Sequence, residues 1–165
     1  MSSKRTEKFS MFCAKLIGTG AGAGYCPFAP GTAGSLLAGI IWLLLCRLLP
    51  ENRLYDLLPC LIILSTLAGV WAANKLQSVW GEDPSRVVID EMVGTWIVLY
   101  VVPVGNLYLG LTGILFFRLF DIFKPLGIRL LEDVSGGWGV MLDDILAGIY
   151  GVLCMLLLQW ITFCF

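Results

Sequence analysis

An all-helical, polytopic membrane protein is what this sequence predicts, with about three spanning helices plus a kinked or re-entrant helical hairpin. Three observations predict it. Apolar residues make up 58% of the 165 residues and charged ones only 14%, against about a quarter in a soluble domain. Charges divide the chain into long apolar runs at roughly 33–49, 57–74, 92–117 and 145–165, of which only the first contains a charge, Arg47 near its end. The third run is interrupted by Pro103, Gly105 and Asn106.

The N-terminal segment, set at 1–15, is polar and basic, and the stretch after it is Gly-rich rather than the leucine-rich core of a secretory signal. Runs one, two and four approach the ~20 apolar residues that a bilayer-spanning helix needs. Proline and glycine break helices, so the third run is either one kinked span or a hairpin of two pieces, roughly 92–102 and 107–117. Lys4, Arg5, Lys8 and Lys15 place the N-terminus in the cytoplasm. A single kinked span would then export Arg118, Lys124 and Arg129; a hairpin keeps them on the side of the 75–91 loop, and the hairpin is expected. The whole chain, 1–165, reads as a single membrane-embedded domain.

Composition also excludes. A net charge of −1 gives no field for nucleic acid. The six cysteines are scattered without a CxxC pair and read as apolar packing residues. There is no histidine, which removes every mechanism needing an imidazole base, nucleophile or ligand.

Three segments carry polar residues that a membrane would otherwise reject: 83–94 (DPSRVVIDEMVG), 117–125 (FRLFDIFKP) and 136–148 (GGWGVMLDDILAG). Grouped acids at the mouths of membrane helices call for cations, and magnesium takes oxygen ligands from one or two carboxylates plus phosphate. The first and third segments share a pattern, IDEMVGTW and LDDILAGI, which reads as two acidic helix starts packed through Gly94 and Ala147/Gly148. Neighbouring helix positions diverge by about 100°. Asp90/Glu91 and Asp143/Asp144 are therefore expected to give one direct ligand each, the second acid capping the helix, orienting water or binding a second ion. Arg118, Asp121 and Lys124 recur every three residues on one face before Pro125, and arginine and lysine both suit phosphate. The stretch from Gly18 to Ser35 is neither a P-loop nor a dinucleotide fingerprint; Pro30-Gly31-Thr32 enters the first apolar helix, whose free N–H groups suit an anion.

Elimination narrows the chemistry. Histidine-dependent lipid phosphatases are excluded, no cysteine begins a Cys-x5-Arg loop, and DxDx[TV] is absent. Metal-assisted hydrolysis or an aspartate nucleophile remains.

With these segments in place, the sequence resembles the phosphatidylglycerophosphatase A family. The pieces that carry the likeness are 18–36 (GTGAGAGYCPFAPGTAGSL), 83–94, 117–125 and 136–148, in the family order. The resemblance implies a multi-pass protein of the bacterial inner membrane, and the basic N-terminus with the hairpin puts its site on the cytoplasmic side. It implies magnesium-dependent hydrolysis of phosphatidylglycerophosphate, a membrane phospholipid, to phosphatidylglycerol and phosphate, on the route to cardiolipin. The residues expected to carry this are Asp90, Glu91, Asp121, Asp143 and Asp144 as metal-binding and catalytic groups. Arg118, Lys124, Gly31, Thr32 and Asp83 are expected on the substrate, with the Gly-rich loop lying over the phosphate.

Two rivals come from other classes. A small ion-coupled transporter would also use intramembrane carboxylates, though 165 residues are few for an inverted-repeat carrier. A non-catalytic membrane subunit explains the helices but not three polar motifs.

Overall fold

A computed structural model describes residues 2–81, 84–125 and 127–164. All its regular elements are helical: α1 (Ser2–Gly18), a 3-10 turn (Ala23–Tyr25), α2 (Pro30–Leu48), α3 (Glu51–Trp80), α4 (Ile89–Leu99), α5 (Leu107–Phe123), the short α6 (Arg129–Glu132) and α7 (Gly137–Cys164). Among the described residues, α2, α3 and α7 are long and apolar enough to cross a membrane.

The polar N-terminal segment is a helix, which its composition did not announce. Phe9, Phe12 and Leu16, spaced three and four apart, are exposed along one stripe, while Ala14 is fully buried. This is the pattern of a helix lying at a membrane interface. Lys75 of α3 holds it by donating from Nζ to Ser10 Oγ at 2.6 Å.

Pro30 opens α2 at a position where its missing N–H costs nothing. At ~1.5 Å per residue, the 30-residue α3 is about 45 Å long, longer than a ~30 Å hydrocarbon core. Asn74 and Lys75 lie in the last two turns of α3.

The third run is a hairpin, as expected. α4 leaves the site end, the chain turns at 100–106, and α5 returns. Asn106 caps α5 by accepting from Leu109 N at 3.1 Å. The turn sits beside the start of α3, with Tyr100 edge-on to Tyr55 at 5.8 Å between centroids. Gln159 of α7 ties it down by donating to Val101 O at 3.0 Å.

α4 and α7 run in the same direction and touch backbone to backbone. A Cβ on Gly94 would stand 2.8 Å from Asp144 O, and one on Gly148 would stand 2.9 Å from Gly94 O. Lipid supplies no hydrophobic drive between helices, so such close packing is what joins them. On the other side, Trp96 Nε1 donates to Ala38 O of α2 at 3.0 Å.

One expectation needs correcting. Asp143 and Asp144 do not start a helix: α7 begins at Gly137, and its first turn carries no acid. The Gly136-Gly137 pair is helix-entry structure because a Cβ on Gly137 would run into the backbone of Val70. Asn74 Oδ1 caps the helix from α3, accepting from Gly137 N at 2.7 Å. Asn74→Ala leaves that donor without a partner and is expected to cost about 1–2 kcal/mol of stability, read as a lower midpoint in denaturation of the detergent-solubilised protein.

Candidate active site

The starts of α2 and α4, the end of α5 and the acidic part of α7 enclose one polar cleft of about 280 Å³. Its described lining includes five acids, Asp90, Glu91, Asp121, Asp143 and Asp144, against two cations, Arg118 and Lys124. The expected acids and the two expected cations are thus gathered at one end of the bundle.

Asp90 and Glu91 lie in the first turn of α4, where the helix dipole favours negative charge. Their carboxylates do not divide into one inward and one outward group. Ligand oxygens of Asp90, Glu91 and Asp144 all lie within 4.8 Å of one another. Both acids of the first pair converge, whereas the second pair divides. The extra methylene of Glu91 lets it reach back, and Gly31 leaves the room: a Cβ there would run into Glu91 Oε1 and stand 2.9 Å from Arg118 Nη1.

Asp143 is taken by a cation. Lys124 Nζ donates to Asp143 Oδ2 at 2.7 Å. Lys124 follows the last helical residue of α5 and is left-handed, with φ 46° and ψ 52°. That conformation costs a non-glycine residue roughly 1–2 kcal/mol, a strain that clusters at functional sites. It also modifies the expected single face for Arg118, Asp121 and Lys124, because Lys124 has already left the helix. Arg118 Nη1 donates to Asp121 Oδ2 and lies 3.9 Å from Glu91 Oε1. Asp144 faces Asp121.

Several buried polar atoms here have no partner. Glu91 Oε2 and Arg118 Nε are two of them, and Thr95 Oγ1, one turn beyond Glu91, is a third. Such orphans are expensive. An all-oxygen donor set with surplus negative charge and an unpartnered carboxylate oxygen fits a hard divalent cation.

The substrate-side expectations divide. Gly31 lines the cleft. Thr32 is exposed on the first turn of α2 and is not among the lining residues. Asp83 lies outside the described residues. The Gly-rich stretch does not lie over the cleft: of 18–36, only Ala29, Pro30 and Gly31 line it. Residues 18–24 brace the segment leading into α4 instead. Gly18 O accepts from Val88 N at 2.8 Å, and a Cβ on Gly24 would collide with Arg86 O. Gly24 lacks a side chain because that backbone passes against it, while Gly20 and Gly22 take up positive φ. Thr95, Pro84 and Ser85 were not among the expected site residues; Pro84 and Ser85 line the cleft and stand in the 83–94 segment already singled out, and Thr95 follows that segment directly.

Comparison with known proteins finds bacterial relatives. A protein of Bacteroides thetaiotaomicron described as "Putative phosphatidylinositol-3-phosphatase" is 53% identical over 91% of this chain and 96% of its own length. Phosphatidylglycerophosphatase A of Escherichia coli is 37% identical over 81% of this chain and 76% of its own length. The Haemophilus influenzae protein of the same name is 35% identical over 88% of each. No solved structure matches the chain. The family model for phosphatidylglycerophosphatase A matches residues 16–159, which take in every side chain of the cleft, and the chain therefore belongs to the phosphatidylglycerophosphatase A family.

Proposed function

We propose that this membrane phosphatase removes the terminal phosphate of phosphatidylglycerophosphate, giving phosphatidylglycerol and inorganic phosphate for phospholipid and cardiolipin synthesis. The observation that carries the reading is the convergence of Asp90, Glu91 and Asp144 beside Arg118 and Lys124 at one end of a lipid-embedded bundle.

Asp90, Glu91 and Asp144 would hold magnesium. Bound there, the ion would supply positive charge to the phosphate and lower the pKa of a water. Arg118 is aimed by Asp121 and Lys124 by Asp143, so both cations face the cleft without free rotation. Preorganised charge of this kind opposes the charge that builds on a transferring phosphoryl group. Water adds to phosphorus, the ester P–O bond breaks, and the leaving alcohol takes up a proton. Asp121, bonded to Arg118 and facing Asp144, is the carboxyl we assign to move that proton.

The cleft shares its end of the bundle with Lys15 of α1, which fits a site on the cytoplasmic face of the inner membrane. The transporter reading is not favoured: the acids gather at one end, two of them are neutralised by fixed cations, and the family is one of phosphatases.

The relative at 53% identity favours a second substrate, phosphatidylinositol 3-phosphate. Both lipids present a phosphomonoester to the same groups. Purified protein in mixed micelles is expected to release phosphate from phosphatidylglycerophosphate with magnesium and none with EDTA. Faster release from phosphatidylinositol 3-phosphate would reverse the substrate order, and no release from either would sink the phosphatase assignment.

A further inference from the structure

Above the cleft, the seam between α2 and α5 opens into a second recess that carries no charge. Leu36, Ile40 and Leu43 wall one side and Leu107, Leu111 and Ile114 the other, with Leu99 of α4 behind them. Small residues make its floor. A Cβ on Gly39 would stand 2.8 Å from the tip of Ile114, and one on Gly110 would stand 3.1 Å from the ring of Trp42. The helices close there, and the wall residues Leu36, Ile40 and Leu111 stand half-exposed at the rim.

The recess lies in register with the phosphate-binding groups. On α2, Gly31 lines the cleft and Leu36 begins the recess, about 7.5 Å further along the helix. On α5, Arg118 lines the cleft and Ile114 the recess, about 6 Å further along. Two helices thus give one offset, pointing away from the polar end into the bilayer. From Leu36 to Leu43 the recess runs on for roughly 10 Å. A polar headgroup at one level and a hydrocarbon groove at the next, on the same seam, is the order of parts in a phospholipid.

We infer that the α2–α5 seam is the substrate's lateral route into the site and that the recess from Leu36 to Leu43 holds one of its acyl chains. This inference rests on the lipid phosphatase reading above. A second apolar furrow, between α2 and α3, does not serve. It is lined by Leu64, Ala68, Ile89 and Met92, and so lies on the flank of α4 turned away from Asp90 and Glu91.

Ile40→Trp and Leu111→Trp fill the groove from its half-exposed rim without touching the cleft. Each is assayed with dioleoyl phosphatidylglycerophosphate in mixed micelles and with a soluble dihexanoyl form. For the long-chain lipid, KM is expected to rise on the order of tenfold, what losing two buried methylenes would give, with kcat held. The dihexanoyl substrate reports an intact site and is expected to change less than about twofold. Leu64→Trp, in the other furrow, is the control and is expected to leave both substrates unchanged. Mapping of adducts from a lipid with a photoreactive acyl chain is expected to mark 36–43 or 107–114. Unchanged long-chain KM in both variants, an equal effect of Leu64→Trp, or adducts confined to 64–68 would overturn the groove while leaving the phosphatase standing. A wild-type chain inactive on both lipids would overturn the function and the groove with it.

Discussion

Asp144→Asn is expected to abolish phosphate release, lowering kcat by roughly three orders of magnitude, while Asp143→Asn, the adjacent residue, falls only about ten- to a hundredfold. The sequence expects one of the two to be a direct ligand and does not say which. The structure gives them different work: Asp144 converges with Asp90 and Glu91, and Asp143 holds Lys124. Asp143→Asn leaves Lys124 charged but less firmly placed, and the double variant Asp143→Asn/Lys124→Gln should fall short of the product of the singles. Stability supplies a second readout. Crowded buried carboxylates oppose folding when no cation offsets them, so in EDTA Asp144→Asn should melt at or above the wild-type temperature. Magnesium should raise the wild-type midpoint and leave that of the variant nearly fixed, since only a ligand bound to the folded state stabilises it. Equal kinetic losses at 143 and 144, or a magnesium shift retained in Asp144→Asn, would refute this division of roles.

Gly31→Ala is the second large effect. The added methyl would occupy the place of Glu91 Oε1 and press on the guanidinium of Arg118. Neither can retreat freely, because Glu91 is packed beside Asp90 and Arg118 is bonded to Asp121. Displacing catalytic groups by about 1 Å can cost on the order of a hundredfold, and that is the fall in kcat/KM expected here. Thr32→Ala, the next residue, is exposed and outside the cleft and should stay within about twofold. Parallel kinetics of the two variants check the pair. A severe loss at Thr32 with a mild one at Gly31 would mean that α2 presents its other face to the substrate.

Much of the fold was legible because its causes are local. Hydrophobic runs set off α2, α3 and α7, and Pro103, Gly105 and Asn106 set the turn of the hairpin. The small residues around Gly94 and Gly148 marked a helix contact that the structure contains. α1 was less legible, since its apolar stripe of Phe9, Phe12 and Leu16 is diluted by charged neighbours. The start of α7 was hidden as well. A Gly-rich stretch reads as loop, and it is helical here only because Asn74 and the backbone of Val70, from a distant part of the chain, complete it.

The sequence by itself determined that this is a helical membrane protein, which polar segments survive in it, and that carboxylates and cations would share a phosphate chemistry. Composition and short-range periodicity carry that information. Only the tertiary structure decided that Asp90, Glu91 and Asp144 converge, that Asp143 pairs with Lys124, that the Gly-rich loop packs against the segment before α4, and that Gly31 lines the cleft where Thr32 does not. Helical spacing fixes the angle of a side chain about its own axis. Which groups meet depends on the depth and direction of neighbouring helices, set by backbone contacts such as Gly94 on Asp144 that join residues far apart in the chain.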